Sequence, residues 1–278
     1  MKNFIVRTIT GIIFVAAIVS CFLRPEAMVL LFSIITGLTV WEFTGLVNER
    51  DGVTVNRLIS TVAAVYFFYA MTYYCSDMYA GIAKSVVFIP YLVTIVYLLV
   101  AELYLKQKDP IQDWAYTMLA QMYIALPFSL INVLAFNATS EGFVSFNTLL
   151  PLSIFVFLWV NDSGAYIGGS LFGKHKMWER HSPGKTWEGT AFGVTVAILL
   201  AVFIGPLLTD IAWYHWLALG IICSVVDTLG DLVESMLKRS VGVKDSGNIM
   251  PGHGGFLDRF DSLLISMPFA YVYLTLVV

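Results

Sequence analysis

The chain has 278 residues, of which 58% are hydrophobic and 13% charged, with a mean hydropathy of +0.79. Ordinary soluble domains carry about 25% charged residues, so the composition excludes a soluble globular protein and points to a single integral-membrane domain over residues 1–278. The formal net charge of −3 excludes a bulk basic surface, and with it a nucleic-acid partner.

A helix crossing about 30 Å of hydrocarbon needs about 20 mostly apolar residues. Nine such segments are predicted in chain order, at 8–23, 27–47, 58–74, 84–103, 114–135, 146–169, 189–208, 211–230 and 257–278. The fold class expected is therefore all-α, a polytopic membrane protein of about nine transmembrane helices. The first segment reads as a retained helix rather than a signal peptide, because no small-residue cleavage site follows it. Glu42, inside the second segment, is a buried acid with no cluster around it, expected to pair with a nearby cation. Pro90, Pro127, Pro151 and Pro268 fall within segments and predict kinks. Cys21, Cys75 and Cys223 lie in or beside apolar runs without ligand spacing and read as packed hydrophobes. The first five helices, within residues 1–135, form a generic scaffold, and the chemistry gathers in 146–278.

Lys and Arg set the orientation. Lys2, Arg7, Arg50, Arg57, Lys106, Lys108, Lys174, Lys176, Arg180, Lys185, Lys238, Arg239, Lys244 and Arg259 fall on one side, and only Arg24 and Lys84 on the other. The N-terminus and the even-numbered loops are expected in the cytoplasm and the C-terminus outside. Two charge-rich loops, 170–188 and 231–256, then face the cytoplasm.

Those loops and the helix ends beside them hold the reactive side chains. Asp227, Asp231, Glu234 and Lys238 stand at i, i+4, i+7 and i+11, one face of a helix. Carboxylates so placed repel one another unless a cation sits among them, and hard oxygen ligands suit Mg²⁺. Asp258 and Asp261, at i and i+3, repeat the device at the start of the last helix, where an acid also suits the helix dipole. Asp227, Asp231, Asp258 and Asp261 are the expected metal ligands. Lys238, Arg239, Lys244 and Arg259, with Asp245 beside them, complete the catalytic set, the cations suiting phosphate. The glycine hinge 252–255 allows close backbone approach to a ligand at Gly254 and Gly255. His253 within it reads as a metal ligand, a proton donor, a phosphate contact or a hydrogen-bonded structural residue.

In the earlier loop, Gly184-Lys185-Thr186 invites comparison with a P-loop, but Glu179 stands where the first glycine is required and an apolar helix precedes it. A looser reading stands: Ser182, Lys185 and Thr186 bind phosphate oxygens at a helix entrance, with Glu188 beside them. Trp187 either stacks on a base or anchors the interface. Asp162 closes an apolar run and, as an intramembrane carboxylate, is a further substrate-site candidate.

The run Ser235-x-x-Lys238-Arg239-x4-Lys244-Asp245-x8-His253-Gly254-Gly255-x-x-Asp258-Arg259-x-Asp261 resembles the signature of the phosphatidate cytidylyltransferases, or CDP-diacylglycerol synthases. The blocks 162–166 and 182–188 are also similar to that family, so the likeness covers at least the C-terminal half. Met250 departs from the usual Leu, Ile or Phe but stays apolar. The resemblance implies the reaction of CTP with phosphatidate to give CDP-diacylglycerol and pyrophosphate. It further implies Mg²⁺ with a second cation such as K⁺, a homodimer, and a bacterial inner (plasma) membrane location with the site facing the cytoplasm. Two other readings fit the polar residues: a CTP-dependent lipid kinase or a cytidylyltransferase for another lipid phosphate, such as an archaeal-type ether lipid, and a cation-coupled transporter using midplane acids.

Overall fold

In the computed structural model, residues 2–76, 83–138, 143–180, 182–252 and 254–277 are described, the side chains from residue 6 onward. Among the described residues the chain folds into nine helices: α1 Lys2–Cys21, α2 Pro25–Val47, α3 Arg57–Cys75, α4 Val86–Leu105, α5 Pro110–Ala135, α6 Leu149–Phe172, α7 Trp187–Leu208, α8 Trp213–Val241 and α9 Leu257–Val277. α2 to α9 are each long and apolar enough to cross a membrane, and α1 adds the shorter apolar stretch Val6–Cys21. The protein is thus an all-α polytopic membrane protein. Among the described residues two antiparallel strand pairs interrupt the helices: β1 Phe136–Ala138 with β2 Val144–Phe146, and β3 Lys176–Trp178 with β4 Ser182–Thr186.

The prolines fall differently from expectation. Pro90 stands at the start of the α-helical part of α4, and Pro151 in the first turn of α6. In the first turn of α6 the missing N–H of Pro151 would have had no intrahelical acceptor, so Pro151 frees no carbonyl. Pro127 follows a π-helical turn, Ala120–Ala125, inside α5. Pro268 lies within α9 and Pro206 within α7. The largest shift of a boundary is in α8, which continues past the expected end at residue 230 to Val241. An i,i+4 pair of Glu234 and Lys238 supports that extension, and Gly242, at φ +83°, ends it.

The chain divides into two compact units. The first comprises Met1–Asn147 and Val241–Arg259. Its core is aromatic, with Phe22, Phe32, Phe43, Phe68 and Phe128 fully buried. Buried hydroxyls bond within their own helix: Thr36, Thr39 and Thr44 donate to carbonyls four residues back, as hydrocarbon surroundings without water demand. α4 leaves Leu92, Val93, Val96, Tyr97, Val100 and Leu103 exposed, a surface suited to acyl chains.

The second unit comprises Thr148–Ser240 and Phe260–Val278. α6 and α7 meet through small residues. Gly189, Gly193, Ala197, Ala201 and Gly205 recur every fourth position on α7, all buried. A Cβ on Gly164 would lie 2.9 Å from the Cα of Gly193. Lipid tails offer no hydrophobic drive for helix association, so close backbone packing of this kind supplies it.

Candidate active site

The second unit gathers most of the expected acids. Asp227 on α8 is 1% exposed, and the amide nitrogen of Asn161 on α6 donates to it. Its Oδ1 and the Oδ1 of Asn161 are buried without a hydrogen-bond partner among the described residues. One turn along α8, Asp231 and Glu234 meet Asp261 of α9, with one oxygen of each within 4.8 Å of the others. Gly230 permits this approach: a Cβ there would stand 2.8 Å from the Cα of Ser262. Two lysines offset the acids. Lys185 Nζ lies 2.5 Å from Asp231 and Lys238 Nζ 2.5 Å from Glu234. Glu234, read in the sequence as part of the α8 stripe but not as a metal ligand, belongs to the cluster, whereas Asp258 has other partners.

A cavity of about 440 Å³ opens beside this cluster, lined among others by Asn161, Asp162, Ser182, Lys185, Thr186, Asp227 and Asp231. That volume lies in the usual range of about 300–1,000 Å³ for small-molecule sites. Two of the lining-loop residues carry local structural contacts. Thr186 Oγ1 accepts from the amide of Gly189 at 3.2 Å and caps α7. Glu188 accepts from the amides of Lys174 and His175 at 3.1 and 3.2 Å and pairs with His175 Nδ1 at 2.5 Å, closing the loop around β3 and β4. Trp187 is exposed.

A model of the cytidylyltransferase family matches residues 5–277. The chain belongs to the cytidylyltransferase family. Among curated relatives, a phosphatidate cytidylyltransferase of Staphylococcus epidermidis is 33% identical over 268 residues, 95% of this chain and 96% of the relative. One of Staphylococcus aureus strain COL is 32% identical over 266 residues, again 95% and 96%. One of Bacillus subtilis strain 168 is 52% identical over 122 residues, 44% of this chain and 45% of the relative. The protein is accordingly an enzyme, a nucleotidyltransferase.

The remaining residues of the cytidylyltransferase signature lie around the end of α8 and the start of α9. Arg239 is exposed at the end of α8. In the first unit, Lys244, Asp245 and Arg259 are also exposed, while Asp258 is buried. The amides of Ser246 and Gly255 donate to Asp258 at 2.9 and 2.8 Å. His253 lies outside the described residues. Gly254 adopts φ +85° in the turn, a conformation that favours glycine. Glu42 has the partners that the sequence did not indicate. Rather than a cation, it is met by the Ser246 hydroxyl and by the amides of Phe256 and Leu257, at 2.9 and 3.0 Å.

The donor set of the second unit fits a hard divalent cation. It consists of carboxylate oxygens from Asp231, Glu234 and Asp261, with Asp227 nearby on α8, whose Oδ1, like that of Asn161, has no donor among the described residues. Among the described residues the cluster holds no thiolate or imidazole ligand, which would favour a softer metal.

Proposed function

We propose that this cytidylyltransferase transfers CMP from CTP to phosphatidate, giving CDP-diacylglycerol and pyrophosphate. The observation that carries the reading is the meeting of Asp231, Glu234 and Asp261 with Lys185 and Lys238 beside a nucleotide-sized cavity. Both substrates are polyanions, so they need cations to approach each other. Lys185, from the loop that borders the cavity, binds the triphosphate, with Ser182 and Thr186 beside it. Asp231, Glu234 and Asp261, with Asp227, hold Mg²⁺. A bound Mg²⁺ supplies charge stabilisation on the phosphoryl oxygens. The phosphatidate oxygen forms a bond to the α-phosphorus of CTP, the α–β anhydride bond breaks, and pyrophosphate leaves. That nucleophile is already anionic near neutral pH, so no strong general base is required, and positioning with charge stabilisation suffices.

Asp162 lines the same cavity and contributes to the substrate site. Arg259, Arg239 and Lys244 serve the phosphates, Arg259 as the candidate for the lipid head group. The Lys/Arg asymmetry of the loops supports a cytoplasmic site at a bacterial inner membrane, and the bacterial relatives agree with that source. A second cation such as K⁺ and a homodimer belong to the same reading. Purified protein in lipid should form CDP-diacylglycerol only with Mg²⁺, CTP and phosphatidate together, with ATP a poor replacement for CTP. Cysteine-accessibility labelling at position 185 from the cytoplasmic side, K⁺ titration and the mass in detergent test the other parts. No lipid product alongside solute flux in liposomes would favour a transporter instead.

A further inference from the structure

The reaction proposed above gives a role to Glu42, a residue of α2 outside the family signature. We propose that Glu42 is a positioning residue for the reaction: its carboxylate caps the start of α9 and holds the amides before it, and so sets where Arg259 stands. The amides in the first turn of a helix have no intrahelical acceptor. Most helices cover them with a Ser, Thr, Asp or Asn of their own chain segment. Before Leu257 stand Gly254, Gly255 and Phe256, and none of these side chains carries an oxygen. The cap comes instead from Glu42, which is 6% exposed and accepts from Phe256 N, Leu257 N and Ser246 Oγ. Asp258 covers the amides on the other side, of Gly255 and Ser246. Two carboxylates thus hold one short loop through five donors.

The loop glycines point the same way. A Cβ on Gly247 would come 2.7 Å from Glu42 Oε2, and a Cβ on Gly255 would collide with the Glu42 carboxyl group. The absence of side chains at these positions leaves the space that Glu42 fills. A buried carboxylate persists as an anion only where donors surround it, and a helix N-terminus favours that anion. Arg259 and Asp261 lie in the first turns of α9. A displaced or frayed start of α9 therefore moves Arg259, a cation of the reaction, without Glu42 touching either substrate.

The test uses the full-length protein in lipid, as wild type, Glu42→Gln, Gly255→Ala and the double variant Glu42→Asp/Gly255→Ala. Hydrogen exchange of the peptide covering 244–258 is read alongside steady-state kinetics. Glu42→Gln should exchange about tenfold faster in that peptide and leave α6 peptides unchanged. Its kcat should fall about tenfold or more with the KM for CTP within about threefold. Gly255→Ala should lose activity to a similar degree, and shortening Glu42 to Asp should restore about threefold or more of that loss. Glu42→Gln with wild-type exchange and turnover would overturn the proposal. So would a double variant no more active than Gly255→Ala, a comparison that decides the matter if Glu42→Gln fails to fold. A wild type without CDP-diacylglycerol synthesis would remove the reaction, and with it Glu42's part in it, while the exchange measurement still decides whether Glu42 caps α9.

Discussion

The acids of the two units live under different electrostatic conditions. Glu42 and Asp258, in the first, are surrounded by backbone amides and a hydroxyl. Asp231, Glu234 and Asp261, in the second, face one another, with Lys185 and Lys238 at the margin. An acid met by fixed N–H dipoles is comfortable as an anion and contributes to structure. Acids turned toward one another gain from the arrival of a cation, and in its absence they repel. The difference separates a scaffold of carboxylates from the carboxylates of the proposed binding site, although both sets look alike in the sequence.

Substitutions can break this comparison. Asp231→Asn and Asp261→Asn should each depress turnover on the order of 10²-fold or more, as loss of a transition-state electrostatic group does. Without Mg²⁺, Asp261→Asn should not lower the melting temperature, because it removes repulsion, whereas Asp231→Asn removes repulsion and the pair with Lys185 together and should change it little. Turnover and melting curves on the same preparation check both halves, and a large loss of stability would place these residues with Glu42 and Asp258. Next in size, Lys185→Ala should raise the KM for CTP about tenfold, the usual scale for a charge-assisted contact, with a smaller effect for phosphatidate. Kinetics with each substrate varied reads this out. Arg259→Lys should recover little of what Arg259→Ala loses, about tenfold in turnover, because the planar fork is gone.

Asp258→Asn tests the structural side of the comparison. Both amides meet its Oδ2, the substitution removes the charge they face, and the expected cost is about 1–3 kcal/mol of stability, seen in denaturation before any defect in substrate affinity. Smallest of all is Asp51→Asn. Asp51 pairs with Lys108 at 2.6 Å, both side chains exposed, and that hydrogen bond and charge hold the Asp51 carboxyl below its usual range. A lowered folded-state pKa favours the fold above the unfolded value and loses that contribution as pH falls. With both groups in water, melting temperature and turnover at neutral pH should not change.

Much of the fold was legible in the sequence because membrane spans announce themselves by length and apolarity, and each of the nine expected segments overlaps an observed helix. The stripe from Asp227 to Lys238 was legible because its spacing belongs to one helix. The contacts of Glu42 were not, since its partner Ser246 lies 204 residues away and only tertiary packing joins them. The pairing of β3 and β4 was missed because three to five residues are too few to show alternation. Thr186 and Glu188 illustrate another limit. Their residue types suit phosphate or substrate binding, yet the structure also gives each a local duty, one capping α7 and the other closing the loop before it. The four-residue rhythm of Gly189, Gly193, Ala197, Ala201 and Gly205 was available in the sequence, but a reading guided by polar residues passes over it.

In the reaction proposed above, this cluster of acids and lysines joins CMP to a lipid phosphate. Purified protein given phosphatidate and Mg²⁺ with CTP labelled either at the α- or at the γ-phosphate tests it most directly. The account predicts labelled CDP-diacylglycerol from the α-label alone, labelled pyrophosphate from the γ-label, and loss of both products in Asp261→Asn. Lipid labelled from the γ-phosphate would mean phosphoryl rather than nucleotidyl transfer, and would contradict it.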